Sequence, residues 1–166
     1  MNYKTISGAK PAGYTVPAGY SLDITNNGSV GGTGVFLTSA GVVNNDGKVV
    51  ANNTAGVIGV YLHQGGEVFN QSGANIYAST GVISSSGVPT LGTVANYGSI
   101  GGARYGVHFY EGGEVLNGAG GTIFGVVYAV DIVAAGSVTN FGVIDELVGA
   151  GGFGVLLTDG GSVTNG

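Results

Sequence analysis

The stretch GGEVLNGAGGTIFGVVYAVDI (residues 112–132) contains three short runs in which apolar side chains alternate with others. Successive side chains of a β-strand point to opposite sides, so the apolar residues of each run share one side of a strand. The glycines between the runs suit corners, because glycine adopts the positive φ angles that tight turns require. The stretch therefore predicts one winding of a coil that is built from three short strands.

The chain repeats this pattern, and an aliphatic-x-Asn motif marks each of seven copies. The repeats are 19 to 26 residues long, and glycine stands two positions before the aliphatic residue in six copies. The asparagines of the motif are Asn26, Asn45, Asn70, Asn96, Asn117, Asn140 and Asn165. A single repeat of this length cannot bury its apolar side, whereas stacked repeats bury a continuous column. We therefore predict that the asparagines stack into a ladder whose side-chain amides hydrogen-bond from turn to turn.

The predicted fold class is all-β: a single-stranded parallel β-helix, or β-solenoid, of about seven turns. At about 4.8 Å per turn such a rod is roughly 30 Å long. Residues 24–166 form the repeats, and the last turn is expected to be incomplete because the seventh copy stops at Gly166. Residues 1–23 fit the repeat poorly and contain three tyrosines and two prolines, so we expect an N-terminal cap or extended segment there.

The composition disfavours several other classes of protein. Glycine supplies 36 of the 166 residues, which disfavours helix bundles because each glycine inside a helix costs about 1 kcal/mol. The hydrophobic fraction of 43% is too high for a disordered chain. The net charge is −5 and the four basic residues are scattered, so we expect no nucleic-acid partner. No apolar run reaches the roughly 18 residues of a membrane span, so none is expected in this chain.

The pattern Gly-Gly-x-Val-x-Asn-x-Gly-x-Ile-x-Gly resembles the passenger repeats of bacterial autotransporters and related surface adhesins. Residues 112–117 and 160–165 are its clearest instances, and the resemblance extends over about residues 24–166. It implies a right-handed solenoid that is secreted across both membranes of a Gram-negative cell and displayed outside. The sequence shows neither a signal peptide nor the translocator barrel of that family, so the resemblance implies a segment of a longer protein.

The acidic residues are dispersed, which weakens the case for a polysaccharide-cleaving β-helix. Glu67 and Glu114 share one column two turns apart, about 10 Å, with Thr93 between them. That separation is at the wide edge of the roughly 6.5–9.5 Å between the carboxyl groups of inverting glycosidases. A lyase would also need a basic group nearby, and Arg104 is the only basic residue after Lys48. We therefore predict that the chain is not an enzyme and has no catalytic, cofactor-binding or metal-binding residues.

The candidate surface contacts are aromatic and acidic side chains that lie outside the predicted core. They are Tyr61, His63, His108, Tyr110, Asp145 and Glu146. Aromatic rings give contact area at small entropic cost, so this set suits a sugar or a protein partner. Three stretches exceed the minimal repeat, namely 50–59, 84–93 and 145–154. Insertions in solenoids form surface loops that often lie on the binding face.

Three hypotheses of function follow. The first is a non-enzymatic structural and adhesive segment of an extracellular, cell-surface protein, which extends a stalk and presents loops to a host glycan or protein. The second is a subunit of an extracellular filament that self-associates end to end, with the incomplete last turn docked on the N-terminal end of another copy. The third is a β-helix that binds or cleaves polysaccharide.

Overall fold

The computed structural model describes residues 2–147 and 151–166, and every regular element in this part of the chain is a β-strand. The paired strands are parallel, and each strand pairs with the equivalent strand of the winding before or after it. The strands stack in a β-solenoid of about seven turns, as predicted. Each of the seven complete windings contributes strands to three faces, and a single strand of an eighth winding follows them.

The first face is an eight-stranded sheet whose strands contain the aliphatic-x-Asn motif in all but the first two windings. Its strands in order are β1 (Asn2–Ile6), β4 (Tyr20–Ile24), β7 (Val42–Asn45), β10 (Gly66–Asn70), β12 (Gly92–Asn96), β14 (Gly113–Asn117), β17 (Gly136–Asn140) and β20 (Gly161–Asn165).

The other twelve strands form one sheet with two arms, termed here the second and third faces. The second face contains β2 (Ala9–Lys10), β5 (Ser29–Val30), β8 (Lys48–Val50), β15 (Thr122–Gly125) and β18 (Val143–Glu146). The third face contains β3 (Tyr14–Val16), β6 (Val35–Leu37), β9 (Ile58–Leu62), β16 (Tyr128–Ile132) and β19 (Phe153–Leu157). Two long strands, β11 (Asn75–Ser84) and β13 (Ser99–Phe109), belong to both faces.

The interior is filled by aliphatic side chains that stack in columns along the axis. On the first face the buried column is Val43, Val68, Val94, Val115 and Val138. On the third face it is Val35, Val60, Val82, Val107 and Val130. Burying one such side chain contributes about 1.5–3 kcal/mol, and each column is buried only because neighbouring windings cover it.

A ladder of six asparagines runs through the corner after the first face. Its members are Asn45, Asn70, Asn96, Asn117, Asn140 and Asn165. In the first five of these, the Nδ2 group donates to the Oδ1 atom of the next asparagine at 2.7–2.8 Å. The amide of Asn96 also donates to the carbonyl of Thr122, and its Oδ1 accepts from the N–H of Gly98. This complete set of partners allows the side chains to be buried without a large desolvation cost.

The prediction that Asn26 begins the ladder is wrong. Leu22 pairs with Val43 and Ile24 pairs with Asn45, so isoleucine occupies the ladder position in the second winding. Asn26 lies two residues later, in an exposed turn. Ile24 and Asn26 have the same spacing as the aliphatic residue and the asparagine of the later copies, so the motif alone does not reveal the different register.

Residues 2–16 form the first winding of the solenoid. Strand β1 pairs with β4 over five residues, and β2 and β3 pair with β5 and β6. The predicted boundary at residue 23 lies inside β4, so the strand pattern continues across it. That this first winding acts as a cap stays a prediction.

At the opposite end, β20 pairs with β17 on one side. Its Val163 is 53% exposed, whereas the register partner Val138 is 1% exposed. The contrast shows how much of the burial of each column comes from the following winding. Within residues 2–147 and 151–166, no helix is long and apolar enough to cross a membrane.

Candidate binding face

The outer side of the third face holds the four aromatic side chains that the sequence predicts as surface contacts, namely Tyr61, His63, His108 and Tyr110. Val60 and Leu62 of β9 lie in the core, so strand alternation directs Tyr61 between them, and His63 after them, away from the interior. Phe36 of β6 is the register partner of Tyr61 one winding earlier. The strands of this face therefore hold rings from successive windings side by side.

The N-terminal ring cluster consists of Phe36, Tyr61 and His63. The ring centroids of Phe36 and Tyr61 are 5.2 Å apart, and the His63 ring lies 5.6 Å from the first and 5.7 Å from the second. The Tyr61 hydroxyl lies 2.9 Å from Oγ of Ser85, and that oxygen lies 3.4 Å from Nδ1 of His63. The cluster thus combines aromatic surface with a short chain of polar groups.

The C-terminal ring cluster lies further along the same face. It consists of Tyr105, His108, Tyr110, Tyr128 and Phe153. Tyr105 stacks on His108 at 4.8 Å and on Tyr128 at 5.7 Å, and Tyr128 stacks on Phe153 at 5.8 Å. Tyr110 meets the His108 ring edge-on at 4.3 Å. Aromatic pairs in these geometries contribute about 0.5–1.5 kcal/mol each beyond their buried area.

His108 of the C-terminal ring cluster is also one member of a buried histidine–aspartate pair. His108 and Asp131 are register partners in β13 and β16, and each is only 5% exposed. Nδ1 of His108 lies 2.8 Å from Oδ2 of Asp131, a short approach that is not aligned as a hydrogen bond. Within the described part of the chain, Oδ1 of Asp131 has no hydrogen-bond partner. Because burial removes water from both groups, each depends on the other for compensation.

The prediction that His108 is a surface contact is therefore wrong. Its ring does point away from the core, but Tyr105 and Tyr110 cover it. Tyr110 is exposed, and Tyr61 and His63 are half-buried, so these three side chains can touch a partner. Alternation along a strand predicts the side to which a residue points, but not whether neighbouring rings close over it.

A groove runs beside the N-terminal ring cluster, between the third face and the loop of residues 51–57. We term it the 51–57 groove. Its volume is about 350 Å³, and its lining includes Thr15, Thr33, Phe36, Val57, Ile58 and Tyr61. The loop is part of the predicted insertion 50–59, and it is held by hydrogen bonds from the N–H of Ala51 to Tyr77 and from that of Asn52 to Gly32. The insertion therefore builds one wall of a concave site.

The other two predicted insertions lie elsewhere. Residues 85–91 connect the third face to β12, and Oε1 of Glu111 accepts a 2.6 Å hydrogen bond from the N–H of Gly87 in this loop. The insertion 145–154 begins in β18 and ends in β19, and residues 148–150 of it lie outside the described part of the chain.

Asp145 and Glu146 belong to β18 of the second face, where they follow Phe124 and Gly125 in register. Asp145 is exposed and Glu146 is half-buried. The structure thus separates these two acidic candidates from the aromatic candidates, which lie on the third face.

The two glutamates of the first face occupy the predicted column. Glu67 pairs with Thr93, and Thr93 pairs with Glu114, so a threonine separates the two exposed carboxylates. Among residues 2–147 and 151–166, no group of three or more histidine, aspartate or glutamate side chains is placed to share a metal ion.

Sequence reasoning missed Tyr105, Tyr128, Phe153 and Ser85. The first three are register partners in successive windings, and each stands three residues before an outward position of its strand. An aromatic residue at the same position of three successive windings could have predicted a row of stacked rings, since two of the three are tyrosine and the third is phenylalanine. Ser85 left no such signal, because its role depends on a contact between windings.

Comparisons of the chain with models of protein families, with curated proteins and with solved structures gave no match in any of the three. The molecule is a β-solenoid repeat protein whose third face holds two aromatic clusters and a groove.

Proposed function

We propose that this chain is a non-enzymatic, structural and adhesive segment of a secreted bacterial surface protein, similar to the passenger stalks of autotransporters. The solenoid extends the protein away from the cell, and the outer side of its third face binds a host surface. Parallel pairing over eight strands of the first face supports the role of a stiff stalk. The observation that carries the adhesive role is the aromatic surface of the third face.

The aromatic surface supports adhesion because tyrosine and phenylalanine combine a large contact area with few rotatable bonds. Here the rings are further restrained by contacts with one another across windings, such as Phe36 with Tyr61 and Tyr105 with Tyr128. A surface that is ordered before binding loses less entropy when a partner docks.

Attachment of coated beads to cultured epithelial cells tests the adhesive role. Beads that present the chain are expected to attach saturably, and an excess of the soluble chain should compete. Tyr61→Ala is expected to remove most of the attachment, whereas the matched control Tyr97→Ala should leave it unchanged, because Tyr97 is 40% exposed but lies outside the third face. Attachment no better than that of albumin-coated beads would overturn the proposal.

The absence of enzymatic activity has its own test. Incubation of the chain with neutral and acidic polysaccharides is expected to release no reducing ends above the level of a heat-denatured sample. Release that disappears in the Glu67→Gln or Glu114→Gln variant would show instead that the column of the first face cleaves polysaccharide.

A further inference from the structure

The 51–57 groove has a chemical character that narrows the choice of ligand. On the sheet side it is lined by Phe36, Ile58 and Tyr61, and on the loop side by Gly56 and Val57. Both rings are half-buried and their planes are inclined by 42°. The groove therefore offers apolar and aromatic surface to a flat molecule.

Hydroxyl groups lie along the same groove. Thr15 and Thr33 line it on the side of the earlier winding, where Oγ1 of Thr33 already donates to the carbonyl of Ala12 and keeps its lone pairs as acceptors. On the side of the later winding, the Tyr61 hydroxyl lines the groove and lies 2.9 Å from Oγ of Ser85; whichever group donates in that pair, Tyr61 keeps either its proton or a lone pair for a ligand. Donors and acceptors thus flank the apolar surface.

The groove is also neutral. Among the described residues that line it, none has a charged side chain. A second groove, on the second face, differs in this respect because Lys48 lines it together with Tyr77 and Phe124. Since an unpaired charge is costly to desolvate, a neutral groove favours a neutral ligand.

A peptide partner is less compatible with this site than a small polar ring. Extended peptides commonly bind by adding a strand to an open sheet edge. The floor of the groove is the face of a sheet, where β6 is paired with β3 on one side and with β9 on the other. The backbone groups that a peptide strand would need are therefore already used.

We propose that the 51–57 groove binds a neutral hexopyranose unit of a glycan. A pyranose ring has an apolar C–H surface that packs on an aromatic ring and a rim of hydroxyl groups that exchange hydrogen bonds, so it matches both features of the groove. The volume of about 350 Å³ lies near the lower end of the roughly 300–1,000 Å³ of small-molecule pockets, which suits one or two sugar rings. This assignment rests on the proposed adhesive function and names its ligand.

Titration of the isotope-labelled chain, followed by NMR, tests the assignment. The probes are cellohexaose, maltohexaose and mannohexaose, and the charged comparison is hexagalacturonate. At least one neutral probe is expected to bind saturably with a Kd of about 1 mM or tighter. The shift changes are expected at residues 33–36, 57–61 and 85.

Substitutions make the test specific to the groove. Tyr61→Ala is expected to weaken binding at least 10-fold, and Tyr61→Phe, which keeps the ring but removes the hydroxyl, by roughly 3-fold. Tyr97→Ala serves as the matched control and should bind like the wild type, because Tyr97 is exposed but lies outside the third face. A circular dichroism spectrum that matches the wild type shows that a variant is folded. If Tyr61→Ala does not fold, the loss of binding in Tyr61→Phe still tests the assignment.

Failure to saturate with all three neutral probes, tighter binding of hexagalacturonate, or equal losses in Tyr61→Ala and Tyr97→Ala would overturn the assignment. Bead attachment without sugar binding would overturn the glycan assignment and leave the adhesive function standing, with a protein as the partner. Sugar binding without bead attachment would overturn the adhesive function and leave the groove as a glycan-binding site.

Discussion

The first two windings and the later six fill the same interior position with different chemistry. Ile6 and Ile24 are register partners, and Ile24 pairs with Asn45, where the asparagine ladder begins. Ile6, Ile24 and Asn45 are all buried. An isoleucine at this position is stabilised by leaving water and packing locally. An asparagine is tolerated there because its neighbours in the ladder and the backbone satisfy its amide.

This difference makes the two regions respond differently to substitution. The cost of changing an isoleucine depends on the space it leaves. The cost of changing an asparagine depends on how many partners lose a hydrogen bond, which varies along the ladder. The ladder thus links windings, whereas the isoleucine column mainly fills space.

The largest effect is expected for Asn96→Leu, in the middle of the ladder. This change leaves the Nδ2 group of Asn70 without its ladder acceptor, Oδ1 of Asn117 without its donor, and the N–H of Gly98 without its acceptor. We expect a loss of about 4 kcal/mol in the free energy of unfolding, measured by urea denaturation. The matched control Ile24→Leu, in the isoleucine region, should cost less than about 1.5 kcal/mol. Equal costs for the two variants would contradict the distinction.

Asn45→Leu is expected to cost about 2 kcal/mol, roughly half as much as Asn96→Leu. The change leaves Oδ1 of Asn70 without its donor and the N–H of Gly47 without its acceptor, but no earlier asparagine loses a ladder acceptor, and a leucine can pack against Ile24 on that side. The same denaturation experiment measures this cost. A loss as large as that of Asn96→Leu would mean that the position in the ladder does not matter.

Ile24→Asn is expected to extend the ladder by one member. The asparagine introduces an amide that can donate to the Oδ1 atom of Asn45, which Ile24→Ala does not, so Ile24→Asn should be less destabilising than Ile24→Ala by about 1 kcal/mol. The comparison of the two variants by urea denaturation isolates the added hydrogen bond. If Ile24→Asn is the less stable of the pair, the second winding does not have the ladder geometry.

The smallest effect is expected for Asn165→Ala. Asn140 donates to Asn165 at 2.7 Å, but Asn165 is exposed, so water can replace the lost acceptor. We expect the free energy of unfolding to change by less than about 0.5 kcal/mol. A loss of 2 kcal/mol or more in thermal or urea denaturation would show that the ladder is coupled strongly even where solvent reaches it.

Most of the fold is predictable from the sequence, because stacked windings must place apolar residues at equivalent positions and these recur at a regular spacing. The valine columns and all five ladder contacts between windings follow from the spacing of the repeat. The prediction fails at Asn26 because isoleucine replaces asparagine in the second winding, and the register that shows this depends on strand pairing rather than on spacing.

The candidate site was predictable only in part. Tyr61, His63 and Tyr110 were identified from alternation, and the structure places them on one face. The burial of His108 and the contact of Ser85 with Tyr61 depend on side chains from different windings, so they could not be inferred from any one strand. The 51–57 groove could not be predicted, because the length of an insertion does not show the path that its loop takes.

The central claim is that the interior ladder stabilises the solenoid while the third face binds the partner. Bead attachment at 25 °C, measured on the wild type, Asn45→Leu and Tyr61→Ala with urea denaturation of the same samples, tests it most directly. We predict that Asn45→Leu loses about 2 kcal/mol of stability yet attaches like the wild type. Tyr61→Ala should lose most of the attachment while it remains folded. Undiminished attachment of Tyr61→Ala, or failure of folded Asn45→Leu to attach, would contradict the claim.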